Sequence, residues 1–336
     1  MFNEKEGDLL MKPPFQITTK MLNRIVEISK LIGQLEVELE RNLHLRRKNR
    51  IRSIQSSLAI ENNSLTLEQV TDIINGKRVL GKPQEIQEVK NAYEAYERIL
   101  TYNPYDLKDF LIAHQLIMET LVKEAGHFRS KDVGIFDNEG NVVHMGARPQ
   151  YVERLLRELF DWGRADDTPD LIKSCVIHYE IEAIHPFEDG NGRIGRLWQS
   201  VILGKWNPVF AWIPIETMVH ENQQGYYDVL AKSDREGEST SFIEFMLEMI
   251  VGTLKQYVKG KMSDKMSDKE NEIYLMLYEY LQKNNELTNR DVVKIINKSE
   301  ATARRYLKRF VEHGLLETEG QNKARVYRLV KEDEMD

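Results

Sequence analysis

Apolar residues recur every three to four positions through most of this 336-residue chain, and that period commits it to helices. Ile25, Ile28, Ile32, Leu35, Leu39 and Leu43 form such a stripe, which predicts one long amphipathic helix over 21–45. The same reading predicts helices over 53–62, 66–75, 85–102, 105–122, 151–162, 170–184, 193–205, 226–234 and 241–259. The run Arg41, Arg46, Arg47, Lys48, Arg50 and Arg52 reads first as a solvated helix face and second as a phosphate-steering patch. One segment breaks the helical rhythm. Val133 to Phe136, then Asp137, Asn138, Glu139, Gly140 and Asn141, then Val142 to Met145 is a strand, turn, strand pattern. The expected fold class is mainly α with one small β-hairpin.

The length suggests two or three domains, and 41% hydrophobic with 30% charged residues is the composition of a globular chain. Val201 to Ile215, the best apolar stretch, is interrupted by Lys205, Asn207 and Pro208 and is too short to span a bilayer. No membrane association is therefore expected. Met1 to Lys12 is polar and unlike a secretory signal. A lone cysteine, Cys175, excludes an internal disulfide and makes a reducing cytoplasm the default compartment.

The net charge of −7 argues against nucleic-acid binding by the whole surface. The C-terminal end differs. Between Glu286 and Arg328 ten basic residues stand against six acidic ones, a balance of +4. Lys261 to Asp264 repeats immediately as Lys265 to Asp268, which reads as a polar linker over 261–270. Beyond it, helices over 271–281, 289–296 and 299–313 and a hairpin over 316–329 predict a winged helix-turn-helix domain, 271–332. Its third helix carries Arg304, Arg305, Lys308 and Arg309, so DNA contact through 289–328 is one expectation and a protein-docking module the other.

The chemistry concentrates in His185-Pro186-Phe187-Glu188-Asp189-Gly190-Asn191-Gly192-Arg193-Ile194-Gly195-Arg196. A glycine-rich turn entering a helix lets backbone N–H groups approach an anion closely. Arg193 and Arg196 add guanidinium forks suited to phosphate. Asp189 offers a hard oxygen for Mg²⁺, which binds through one or two carboxylates plus substrate phosphates. His185, at the end of the preceding helix, is placed to take a proton near neutral pH. Base, carboxylate and anion cradle are the parts that phosphoryl or nucleotidyl transfer requires. A competing reading takes His178, Glu182 and His185, at i, i+4 and i+7, as zinc ligands, and leaves the Gly and Arg residues without a role.

This stretch resembles, at every defining position, the signature HxFx(D/E)GNGRxxR of Fic-domain proteins. The resemblance implies a mostly helical Fic core over 106–260, preceded by an N-terminal helical region over 1–105. It implies transfer of AMP from ATP, with Mg²⁺, onto a hydroxyl of a target protein. His185 takes the part of the base, Asp189 of the metal ligand, and Gly190, Asn191, Gly192, Arg193, Ile194, Gly195 and Arg196 of the phosphate site. Phe187 packs beneath the loop. Ser57-Leu58-Ala59-Ile60-Glu61-Asn62 is similar to the family's inhibitory motif, (S/T)xxxE(G/N), on a helix near 53–63. Ser57 and Glu61 share a face by i, i+4 spacing, and a carboxylate at Arg196 would form a bidentate pair in the place of the γ-phosphate. Gly126-His127-Phe128-Arg129 with the hairpin 133–145 is similar to the family's target-aligning flap, whose edge pairs with an extended strand. Asn222, Tyr226 and Tyr227 lie where the family contacts the nucleotide. Removal of AMP, use of another nucleotide, a regulator in which the Fic core senses nucleotide and the winged helix holds DNA, and homodimer assembly are left open by the residues.

Overall fold

The computed structural model describes residues 12–41, 43–136, 142–264, 268–312, 315–320 and 325–329. It divides into two compact units, 1–255 and 256–336. In the first, α1 (Thr19–Arg41), α2 (Leu43–Ile60), α3 (Leu67–Ile74), α4 (Pro83–Glu97) and α5 (Leu107–Met118) precede a hairpin of β1 (Gly134–Phe136) and β2 (Val142–Met145). Then follow α6 (Pro149–Ala165), α7 (Asp170–Ile184), α8 (Asn191–Trp206), a 3-10 turn (Pro208–Trp212), α9 (Ile215–Glu221), α10 (Gln223–Glu236) and α11 (Thr240–Asp264). Lys255 ends the first unit within α11.

Two helices dominate the core. Ten of the first eleven α7 residues past Asp170, from Leu171 to Ile181 with Glu180 as the exception, are buried, and so are Ile194 to Gly204 of α8. A helix apolar on all sides must be wrapped by others, and here α7 and α8 pack together as the central pair. Trp198 of α8 sits edge-on to Phe110 at 5.1 Å and donates its indole N–H to Pro104 O at 2.9 Å. Because one short segment joins the two central helices, residues 185–190 emerge at the end of the core, held rigidly on both sides.

The boundaries depart from the sequence expectation in informative ways. The helix expected over 21–45 is two helices, and α2 begins at Leu43 and runs through the basic segment to Ile60. That segment is more than a solvated face. Arg46 and Arg50 both lie over the Trp212 ring, at 5.0 and 4.7 Å, and Arg50 is buried beside Glu97. Such stacking hides a weakly hydrated guanidinium at little cost, and the partner, 162 residues away, is invisible locally. The 3-10 turn falls within the interrupted apolar stretch Val201 to Ile215, and α9 starts at its last residue, after Pro214; neither was expected as a helix. The hairpin pairs antiparallel, Gly134 opposite Met145 and Ile135 opposite His144, with a bulge before Phe136. Its expected turn, 137–141, and the polar segment 1–11 lie outside the described residues.

The second unit contains α12 (Asp268–Asn284), β3 (Leu287–Thr288), α13 (Asn289–Ile296), α14 (Glu300–Glu312), β4 (Leu316–Glu319) and β5 (Val326–Leu329). Its sheet has the order β3-β5-β4, all antiparallel. Leu277, Leu287, Val292, Leu307 and Phe310 share its core. Thr288 and Asp291 form a capping box that starts α13. Asn297, at φ 48°, turns the chain toward α14, a conformation that asparagine tolerates. Two-residue β3 carries no periodic signal, so it was not foreseen. The linker expected over 261–270 is instead helical at Lys261–Asp264 and 268–270, with 265–267 outside the described residues. Lacking Gly and Pro, such a segment has no intrinsic reason to leave a helix.

Candidate active site

The loop between α7 and α8 is built to hold an unusual backbone. His185 ends α7 in a left-handed conformation, φ 53° and ψ 62°, and Gly190 precedes α8 at φ 85°. A side chain at Gly190 would lie 2.6 Å from Met118 Sδ, so both dihedral and space demand glycine there. Asn191 braces the bend internally, donating from Nδ2 to Phe187 O and accepting the Phe187 N–H, each at 2.9 Å. Phe187 is fully buried beneath, stacked on His114 at 3.5 Å between ring centres.

His114 was not singled out by sequence, and only its position explains it. Gly126 N–H donates to His114 Nδ1 at 3.0 Å, which obliges the Nε2–H to donate to Asp189 O, also at 3.0 Å. Burial, with Arg193 nearby, lowers its pKa to about 4. The unfolded chain therefore binds this proton below about pH 6.5 while the folded loop refuses it until about pH 4. Stability from this group is complete above pH 6.5 and falls on the order of 3 kcal/mol by pH 4. Glu180, raised by burial to about 7, acts with the opposite sign, so the comparison must be made against His114→Gln. Denaturant midpoints followed from pH 7 to 4 should separate for the two proteins. Parallel curves would show that His114 does not lock the loop.

A cavity of about 430 Å³ opens beside the bend, lined by Glu61, Tyr179, Glu182, His185, Gly192, Arg196 and Tyr227 among others. Arg196 is 3% exposed at its base. Its Nη2 donates to Glu61 Oε1 at 2.7 Å and to Ser57 O at 3.0 Å, and its Nε donates to Ser57 Oγ at 3.1 Å. Glu61 thus makes one contact rather than the expected bidentate pair, with Ser57 accepting from Nε and from the other Nη2 hydrogen. Burial opposes the Arg196 charge, and Glu61 and Glu182 more than offset it, raising its pKa. The same Glu61 oxygen lies 2.5 Å from where a Gly192 side chain would begin, directly over the start of α8, whose first N–H groups face an anion by construction.

Glu61 itself is the first residue beyond α2, in a turn closed by Glu61 N–H to Leu58 O and Asn63 N–H to Leu58 O. Asn62, at φ 65°, supplies the left-handed step. The last carbonyl of α2, Ile60 O, accepts from Gln223 Nε2 at 2.9 Å and from Tyr227 OH at 3.2 Å. Farther back, Ser53 donates to Glu216 Oε2 at 2.9 Å, while Tyr96 and Ser200 donate to Oε1 at 3.1 Å each. Glu216, 3% exposed, is a buried hub joining α2, α4, α8 and α9. A lone acidic residue gave the sequence reading no reason to choose it.

The other candidates divide between the cavity wall, where Tyr226 and Tyr227 lie, and packing or internal hydrogen bonds. Arg193 is engaged with Asp189 Oδ1 at 2.9 Å and Glu88 Oε1 at 3.6 Å. The Ile194 side chain is fully buried and its N–H donates to Gly190 O, so it packs the helix start and offers no phosphate contact. Gly195 lies against His178 and Glu182, 2.9 and 3.3 Å from where its side chain would begin. Asn222 donates back to Met218 O at 2.8 Å. Tyr226 is 1% exposed, its hydroxyl 3.0 Å from His178 Nε2 and 3.3 Å from Glu182 Oε1, while Tyr227 is 43% exposed and offers a ring to the cavity. His178 also donates from Nδ1 to Gln199 Oε1 at 2.8 Å. Both ring nitrogens thus have protein partners, and His178, Glu182 and His185 do not form a metal-holding group, which counts against the zinc reading.

Asp189 is the group to test for a magnesium ion. Its carboxylate is 57% exposed, and both of its hydrogen bonds, from Gly190 N and Arg193 Nη2, fall on Oδ1. A single exposed carboxylate beside the start of α8 has the chemistry of a ligand for a Mg²⁺ that arrives on phosphate oxygens. Among the described residues no group of three or more His, Cys, Asp or Glu is arranged to hold a metal by itself. Nor, among them, is any helix long and apolar enough to cross a membrane.

The Fic/DOC family model matches residues 104–203, and a winged helix-turn-helix DNA-binding model matches 270–317. A crystal structure of a Fic family protein from Desulfovibrio desulfuricans G20 is 40% identical in sequence, with a TM-score of 0.72, and the match covers 95% of this chain and 98% of that one. The protein adenylyltransferase Fic of Nematostella vectensis is 26% identical over 222 residues, 61% of this chain and 48% of its own length. A probable protein adenylyltransferase of Aquifex aeolicus is 32% identical over 154 residues, 44% of this chain and 45% of its own. The chain spans about half the length of these curated relatives.

Proposed function

The chain belongs to the Fic family, and from that membership we propose that it transfers AMP from ATP to a Ser, Thr or Tyr hydroxyl of a target protein and is held inactive by Glu61. The observation that carries this reading is that His185, Gly192 and Arg196 line one cavity in which the Glu61 carboxylate is paired with Arg196 at 2.7 Å. His185 takes the proton from the attacking hydroxyl. The hydroxyl oxygen bonds to the α-phosphorus as the bond to pyrophosphate breaks, and the electron pair leaves on pyrophosphate. Backbone N–H groups at Gly192 and Arg193 receive phosphate oxygens, Arg196 receives the terminal phosphate once Glu61 leaves it, and Tyr227 walls the base. Gly190 and Asn191 shape the loop, and Arg193 orients Asp189. Asp189 would hold Mg²⁺, which when bound neutralises phosphate charge. Incubation with ATP labelled at the α- or the γ-phosphate tests the reaction class. Label should reach protein from the α position alone, and transfer from the γ position would overturn the proposal.

A second reading concerns the C-terminal unit and is favoured by its match to a DNA-binding model. Arg304, Arg305, Lys308 and Arg309 are exposed on α14. Arg304 is paired with Glu300, Arg309 with Glu270, and Arg305 lies over the Tyr306 ring at 5.4 Å. Binding of the full chain to duplex DNA should weaken as salt rises, and Arg305→Ala should lower the log–log slope by about 1. Affinity that is flat with salt would assign the unit to protein docking.

A further inference from the structure

Arg129 is 5% exposed, and among the described residues its guanidinium donates to four backbone carbonyls. Nε donates to His185 O at 2.6 Å, Nη1 to Lys131 O at 2.7 Å, and Nη2 to Ile184 O at 3.3 Å and to Ala147 O. Its own N–H donates to Pro186 O at 3.0 Å. Ile184 and His185 close α7, where a helix leaves its carbonyls without partners. Lys131 and Ala147 flank the hairpin, one before β1 and one after β2. The weld is reinforced by Ala147 N–H to Ile184 O at 3.1 Å and by Gly146 N–H to Val133 O at 3.2 Å. A side chain on Gly146 would begin 2.8 Å from Arg129 Nη2 and 3.0 Å from His185 Cβ, so the chain leaving β2 runs tight against the imidazole-bearing residue.

A cation that served only to cap a helix would not need this shape. The guanidinium offers five donors in a fixed plane, and here they are divided between the end of α7 and the two ends of the hairpin. We propose that Arg129 is the positioning residue for group transfer, setting the distance and register between His185 and the hairpin edge along which an extended target segment pairs. It also holds the left-handed backbone of His185, which a residue with a side chain adopts unwillingly. The inference rests on His185 being the base and the hairpin being the target platform. Nucleotide contacts come from α8 and α10, so target alignment depends on Arg129 and ATP binding does not.

The test uses the full chain carrying Glu61→Gly, with Arg129→Lys or Gly146→Ala added. Arg129→Lys keeps the charge and loses the fork, whereas Gly146→Ala keeps Arg129 and crowds the weld. Measured are the affinity for ATP with magnesium, the transfer rate at saturating ATP, and amide hydrogen exchange at Ala147 and His185. ATP affinity should be unchanged in both variants, transfer should fall about a hundredfold, the cost of a misplaced reacting group, and exchange at both amides should quicken. Transfer at the parent rate, or a loss of ATP affinity in step with transfer, overturns the proposal. If the Glu61→Gly parent transfers nothing, the functional reading has failed by itself. Exchange then decides the coupling, and unaltered protection at Ala147 and His185 overturns it.

Discussion

Glu61→Gly should raise incorporation of AMP into protein by about 10- to 100-fold, the equivalent of one charge-assisted hydrogen bond of ~1.5–3 kcal/mol. The contact at stake is the 2.7 Å bond from Arg196 Nη2 to Glu61 Oε1. While it stands, the guanidinium is neutralised and the carboxylate lies over Gly192, so a terminal phosphate meets both an occupied site and a like charge. Ser57 still bonds Arg196 through Oγ and its carbonyl, which keeps the guanidinium in place after Glu61 is removed. The gain should therefore appear as activity and not as loss of fold. Label counted on the protein itself and on lysate proteins checks it, and equal incorporation by parent and variant would end the inhibitory assignment. Tyr227→Phe should give a smaller rise that vanishes when Glu61→Gly is already present, because Tyr227 OH holds the Ile60 carbonyl just before Glu61.

In the Glu61→Gly background, His185→Ala should reduce transfer by about 10²- to 10⁴-fold, the usual worth of a positioned general base. ATP affinity should persist, since the proposed phosphate contacts come from α8, Arg196 included. The loss is expected in the rate at saturating ATP and not in the half-saturating concentration, as for an interaction made only in the transition state. A rate that survives the substitution would move the base to another residue, and Glu182, on the same cavity wall, would be the first to test.

Much of this site is local in sequence, and that is why it was legible. His185 to Arg196 spans one bend and one helix start, so glycine placement and residue type already announce an anion cradle. Ser57 and Glu61 were visible through their resemblance to the family's inhibitory motif, although Glu61 lies just past the helix end. Tyr226 and Asn222 show the limit of such reasoning, because the same pattern fits a ring buried against His178 and an amide folded back on Met218.

Periodicity and glycine position act over a few residues, and they were enough to predict a helical protein with a small hairpin between α5 and α6, a tight glycine turn entering α8 and a distinct basic C-terminal segment. Only tertiary packing decided that Glu61 meets Arg196 across 135 residues, that Arg50 is buried against Trp212, that His114 is kept neutral beneath the loop, and that Arg129 joins the hairpin to His185. Each of these depends on which surfaces come together, and burial changes the meaning of a charged side chain in a way that no local pattern encodes.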